Sequence, residues 1–241
     1  MFRSVFSLSL LLISGCTCTS HLPPQAEISM PDAHTLMFKG DTRIDSVKQL
    51  LAIADKAPAP ISRLVITSRG GNPSGGMMLG EWLHQQQIEL EVREICAGSC
   101  ANYVFTAAKS VKVEANSVIG FNGGAWQQHW DKPWYTFLVP DFDQHKCLSV
   151  AEWRQRENAF FKRIGVREEI TIMGQVPPFQ QQISSKKLWG YRADDLSKFG
   201  LHQVYFSMNT APQTQVAILQ FAPGELENYL SSSQLQQGAA P

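Results

Sequence analysis

The sequence predicts an α/β fold built on a mostly parallel sheet, and three observations predict it. Arg63-Leu64-Val65-Ile66-Thr67 is a short continuous apolar run, as expected for a strand inside a parallel sheet. It leads into a glycine-rich turn over 68–76, and then Met77, Leu79, Trp82 and Leu83 follow helical spacing. A second strand, Leu90 to Ile95, leads into the small-residue turn Cys96-Ala97-Gly98-Ser99-Cys100 and an apolar helix over Ala101 to Ala108. This alternation makes βαβ units with right-handed crossovers.

The remaining elements follow in order. Leu36 to Lys39 reads as a short strand and Gly40-Asp41 as a turn. From Asp45 a helical pattern places Val47, Leu50, Leu51 and Ala54 on one face, ended by Pro58 and Pro60. Val111 to Val113 and Val118 to Phe121 read as strands. Residues 122–148 form a long aromatic segment with Trp126, Trp130, Trp134, Tyr135, Phe137 and Phe142. A loop of that length usually serves a function. Val150 to Ile164 is an amphipathic helix with Trp153, Phe160, Phe161 and Ile164 on its apolar side. A small helix from Ala193 to Phe199 is stopped by Gly200. The Ser/Gln-rich tail from Ser231 has a composition that favours disorder.

The chain has 241 residues, 44% hydrophobic and 17% charged, which suits one domain with a sizeable core. Its formal net charge is zero and it has no basic stripe, which argues against a nucleic-acid partner. The one long apolar run is at the N-terminus. Arg3 precedes an apolar stretch from Val5 to Ile13, too short to span a bilayer. Ile13-Ser14-Gly15-Cys16 resembles the bacterial lipobox, which implies cleavage before Cys16, acylation of that residue and a membrane anchor. Thr17, a residue other than Asp, implies the outer membrane and a periplasm-facing domain in the cell envelope. The alternative is a secretory signal that happens to contain a cysteine. The expected organisation is a signal peptide over 1–15, a polar tether over 16–33, a domain over 34–208 and a C-terminal extension over 209–241.

Outside the cytoplasm cysteines can oxidise. Besides Cys16 the chain has Cys18, Cys96, Cys100 and Cys147. Cys96 and Cys100 are the nearest pair in the domain, and Cys147 could reach either. No second Cys or His pair supports zinc, and no cofactor motif or metal-ligand spacing is visible.

Two segments carry the functional reading. One is Ile66-Thr67-Ser68-Arg69-Gly70-Gly71 with Gly75-Gly76 and a helix behind it; the other is Cys96-Ala97-Gly98-Ser99-Cys100-Ala101. A Gly-Gly turn lets backbone N–H groups approach a carbonyl closely, and a serine at a helix N-terminus sits in a field that favours a developing oxyanion. Together, over roughly residues 34–205, they resemble the Clp protease/crotonase superfamily, and more closely its uncharacterised periplasmic branch. The resemblance implies a ClpP/crotonase-like fold with repeated ββα units and frequent homo-oligomers. It implies Ser99 as nucleophile, with the N–H groups of Gly71 and Cys100 as oxyanion hole.

The chain departs from that pattern. Where the protease has its histidine base, this sequence has Asn122, which cannot accept the serine proton. The position of the acid falls near Gly174. Candidate replacement bases are His129 and His145, with Asp131, Asp141 or Asp143 behind them, or Lys109 and Lys112 in a serine–lysine arrangement. The expected activity is serine-peptidase-like hydrolysis of acyl or peptide bonds. The alternative is an inactive scaffold that binds peptides or protein partners, with an acyl-thioester enzyme a distant third. The tryptophan-rich loop could line an apolar groove, meet a second subunit or cover the core edge.

Overall fold

The computed structural model describes residues 26–127, 149–177, 179–183, 186–207 and 215–233. Strand β1 (Glu27–Asp32) turns through Ala33-His34 into β2 (Thr35–Lys39), and the Asp32 carboxylate accepts the His34 N–H at 2.8 Å to close the turn. Helix α1 (Ile44–Ala54) buries Val47 and Leu50 and returns the chain to β3 (Arg63–Ser68). Helix α2 (Pro73–Gln86) starts on two local signals. The Asn72 side chain accepts the Gly75 N–H at 3.1 Å, and Pro73 opens the first turn, where its missing N–H costs nothing. Strand β4 (Glu89–Ala97) then runs into a π-helix (Cys100–Phe105), all of whose residues are buried. After β5 (Val111–Val113) and β6 (Val118–Gly120) comes α3 (Val150–Ile164), set by a capping box between Ser149 and Glu152.

Two 3₁₀ turns (Glu168–Thr171 and Met173–Gln175) and α4 (Gln180–Ile183) follow. Then come β7 (Leu188–Gly190), α5 (Ala193–Lys198), β8 (Val204–Phe206), β9 (Val216–Ile218) and α6 (Glu225–Ser232). The main sheet runs β1-β2-β3-β4-β5-β8, parallel throughout except for the β1–β2 hairpin, with β6 also on β4. The fold is mixed α/β with a mostly parallel sheet, as the sequence predicts.

Strand β4 serves two successive partners. Leu90 to Val92 pair with β5, whereas Ile95 to Ala97 pair with β6. Between them the register against β3 shifts, and Glu94 adopts a left-handed φ of 60°. The bulge re-aims the last residues of β4, and the turn beyond them carries Ser99. A parallel pair, β7 and β9, is tied to the end of β6 through reciprocal backbone bonds between Phe121 and Trp189.

The core lies between the sheet and α1, α2, the π-helix and α3. Tyr103 sits at its centre, edge-on to Phe160 and beneath α2. Its hydroxyl donates to Glu157 at 3.0 Å and accepts from the Trp153 indole at 3.0 Å, so buried polar atoms find partners. Burial and the adjacent Glu157 carboxylate push the Tyr103 phenol well above its ordinary range.

Two boundaries differ from the sequence reading. Residues 27–32, assigned there to the tether, form β1, because Ile28 and Met30 pack against the core from the sheet edge. Beyond 208, β9 and α6 pack back through Val216, Leu219, Leu226 and Leu230. Expectations for residues 1–25, which include Cys16 and the signal segment, lie outside the described residues. Among the described residues, no helix is long and apolar enough to cross a membrane.

Candidate active site

Three loops meet at the carboxyl ends of β2, β3 and β4. The first is Gly40–Thr42, fixed by Gly40 N–H donating to Thr67 O at 3.0 Å and Thr42 N–H donating to Gly70 O at 2.7 Å. The second is Arg69–Asn72, and the third is Gly98–Ser99. Gly70 joins the second to the third. Its φ is +96°, and a Cβ there would stand 2.6 Å from Ala97 O and 2.8 Å from Ser99 N. Only glycine combines that backbone with that approach. Behind them, a Cβ on Gly76 would meet Ser99 Cβ at 3.0 Å, so α2 seats directly on the serine turn. The glycine loop and Ser99 therefore converge.

Ser99 is 7% exposed, and its hydroxyl is 2.7 Å from the hydroxyl of Thr42, itself fully buried. Either oxygen can donate in this pair. A threonine hydroxyl has no useful proton affinity near neutrality, so this partner holds Ser99 without activating it. Gly71 is exposed, has φ +133°, and its N–H donates to no described residue, which leaves it available to a carbonyl oxygen. Cys100, the other expected oxyanion donor, opens the π-helix one residue beyond Ser99 and is fully buried.

Cys100 is also half of a disulfide with Cys96, which resolves the open pairing. The bridge spans the serine turn, joining the next-to-last residue of β4 to the first residue of the π-helix. Cys147, the other possible partner, lies outside the described residues. Closing so short a ring is worth about 2 kcal/mol on the chain-entropy account. Replacing both Cys96 and Cys100 by serine is expected to lower stability by about that amount in a denaturant titration. Ligand binding at Ser99 should fall further than this stability loss explains, because the turn loses its clamp.

Asn122 follows β6 and is exposed, with its amide atoms 3.6 and 3.7 Å from where a Gly98 Cβ would stand. Asn122, which the resemblance puts in the place of a histidine base, is therefore beside the serine turn, and its side chain is an amide. The next peptide is held from below. The Asn102 amide donates to Gly123 O at 2.7 Å, and Gln175 donates to Asn122 O at 3.4 Å. Gly174 sits against the Trp189 ring and offers no acid.

The two lysines are placed where they cannot act. Lys112 is in register with Glu91, six residues before the end of β4, or roughly 20 Å from the serine turn along the strand. It pairs with Glu114 at 2.6 Å. The Lys109 N–H donates to Ile88 O at the amino end of β4. The serine–lysine arrangement through these residues is thus overturned by strand direction: Lys109 lies just before β5 and Lys112 within it, level with the first half of β4, whereas Ser99 follows the end of β4. Lys112→Ala is expected to leave any reactivity of Ser99 unchanged within twofold in a labelling assay. His129, His145, Asp131, Asp141 and Asp143 lie outside the described residues. The described histidines, His34, His84 and His202, sit elsewhere: in the β1–β2 turn, the last turn of α2 and the approach to β8.

Sequence reasoning missed Thr42. It read Gly40-Asp41 as a plain turn, and a hydroxyl residue just before a helix suggests a cap. Instead Arg43 is the N-cap and makes no side-chain cap bond, while the Thr42 hydroxyl is turned to Ser99. Ser68 was also missed; its buried hydroxyl accepts the Gly70 N–H at 3.1 Å and fixes the glycine turn. Among the described residues, no group of three or more His, Cys, Asp or Glu side chains could hold a metal ion.

Comparison with known proteins adds the following. No protein-family model matches the chain. No curated protein matches it either. Among solved structures, the chain is similar to a ClpP1 point mutant from Listeria monocytogenes. The two are 15% identical, the match covers 74% of this chain and 94% of that one, and the TM-score is 0.41.

Proposed function

We propose that this chain is a serine-peptidase-like protein of the bacterial cell envelope whose Ser99 site binds peptide or acyl carbonyls with little or no turnover. The observation that carries this reading is the 2.7 Å contact between the Ser99 and Thr42 hydroxyls. It supplies the serine with a partner that cannot remove its proton, while Asn122 stands where the resembled protease family has its base. The parts for carbonyl recognition are Gly70, packed against the serine turn, and the exposed residue Gly71 that follows it, whose N–H donates to no described residue. Such donors bind an acyl oxygen whether or not an attack follows. On the same reading the domain faces the periplasm, tethered through an acylated Cys16, and its ligand is a peptide or a protein partner.

Hydrolysis through Ser99 is the second reading, favoured by the retention of the serine on its disulfide-clamped turn. Labelling with a fluorophosphonate separates the two. The binding reading predicts negligible labelling of the wild type and of Ser99→Ala, and a gain in Asn122→His that is lost again in the double variant. Rapid wild-type labelling that disappears in Ser99→Ala would establish the hydrolase instead.

A further inference from the structure

A cleft of about 230 Å³ opens at the other end of the sheet from Ser99, and its polar lining is one-sided. Three segments supply it: the last turn of α2 with His84 and Gln87, the stretch before β5 with Lys109, and the approach to β8 with His202 and Gln203. Among the described residues no carboxylate lines it, although the chain as a whole has 21 acidic and 21 basic residues. The side chains of His84, Lys109 and His202 make no hydrogen bond or ion pair with a described residue. This contrasts with Lys112 and Arg93, which pair with Glu114 and Glu91, each two residues away along the same segment.

A basic side chain in the last turn of a helix ordinarily serves the exposed carbonyls there. At α2 that task is already done. The Gln87 N–H and side-chain amide both donate to His84 O, and the Ile88 N–H donates to Leu83 O. The His84 imidazole is therefore not committed to the helix end. An ammonium carries only donors, and a neutral imidazole keeps one N–H, so three separate segments of the cleft lining each carry a nitrogen donor. Separate donors on three segments suit an anion with several acceptor oxygens better than a planar carboxylate, whose matched partner is a flat guanidinium fork.

We propose that this cleft, lined by His84, Lys109 and His202, binds a phosphate-type oxyanion, free or carried on a lipid headgroup. The site is remote from Ser99 and does not depend on what Ser99 does.

Equilibrium dialysis of the full chain against radiolabelled inorganic phosphate tests the free form. Flotation with phosphatidic acid vesicles, against phosphatidylcholine vesicles, tests the lipid form. Saturable binding in either arm is expected, weakened at least fivefold by Lys109→Met and by the pair His84→Gln with His202→Gln. Ser99→Ala should bind as the wild type does. All three replaced side chains are at least partly exposed, so unchanged melting temperatures will show that the variants fold. Binding of phosphate alone assigns a soluble ligand, and binding of vesicles alone assigns a headgroup. No binding in either arm, or binding that survives both sets of substitutions, overturns the proposal.

Discussion

Gly70→Ala should cost roughly 3 kcal/mol of stability, lowering the melting temperature by about 10 °C in a domain of this size. Two penalties add. A residue with a Cβ resists φ +96°, and the new methyl would press on Ala97 O and Ser99 N, both backbone atoms that cannot swing aside. Gly165→Ala is the control. Its φ is +71°, yet nothing lies within 4 Å of the added Cβ, so only the backbone penalty of about 1 kcal/mol applies. The difference between the two variants measures how tightly the glycine loop is pressed on the serine turn. Ligand binding should be lost in Gly70→Ala and kept in Gly165→Ala. Equal melting temperatures for the two variants would mean that the loops do not meet as described.

The second large effect is in pH dependence. Glu168 is 1% exposed, and its carboxylate accepts from the Trp126 indole at 2.8 Å and the Asn158 amide at 3.2 Å. Burial pushes its pKa up to about 7, against 4.5 for the free side chain. Folding therefore favours the protonated form. The stabilisation is complete below about pH 4.5 and is lost as pH rises through about 7. The gap corresponds to roughly 3 kcal/mol. Urea titrations should find the wild type less stable at pH 8 than at pH 5 by an amount of that order. Glu168→Gln, which cannot ionise, should flatten the profile between those values. A wild-type stability that is level from pH 5 to pH 8, or a slope that persists in Glu168→Gln, would refute the assignment.

The elements that the sequence made legible are those whose signals are local. The apolar run from Leu64 to Ile66, the helical spacing of Met77, Leu79, Trp82 and Leu83 and the amphipathic pattern of Val150 to Ile164 each carry their cause within a few residues. The convergence of Gly70 with Ser99 was legible from order and spacing, since parallel strands bring their carboxyl ends to one edge. Other features depend on distant partners and left no local mark. The Thr42 hydroxyl is chosen by a serine 57 residues away. The apolar segment after Ser99 reads as an ordinary helix, but it is wound as a π-helix, a form that often marks functional sites. Lys109 and Lys112 looked near to Ser99 in sequence because the reading had no strand direction; the parallel β4–β5 register carries them to the far end. The β1 strand was hidden because an edge strand with the exposure pattern of Glu27 to Asp32 has the composition of a tether.

The central claim is that the Gly71 and Cys100 N–H groups and the Ser99 hydroxyl surround one carbonyl-sized position. A crystal structure of the protein soaked with a peptidyl boronate tests it most directly. The account predicts boron within bonding distance of Ser99 Oγ, or held just short of it, with a boronate oxygen about 2.7–3.1 Å from the Gly71 and Cys100 nitrogens and the Thr42–Ser99 contact broken or lengthened. A boronate bound only elsewhere, with the two hydroxyls still paired and the Gly71 N–H facing solvent, would contradict it.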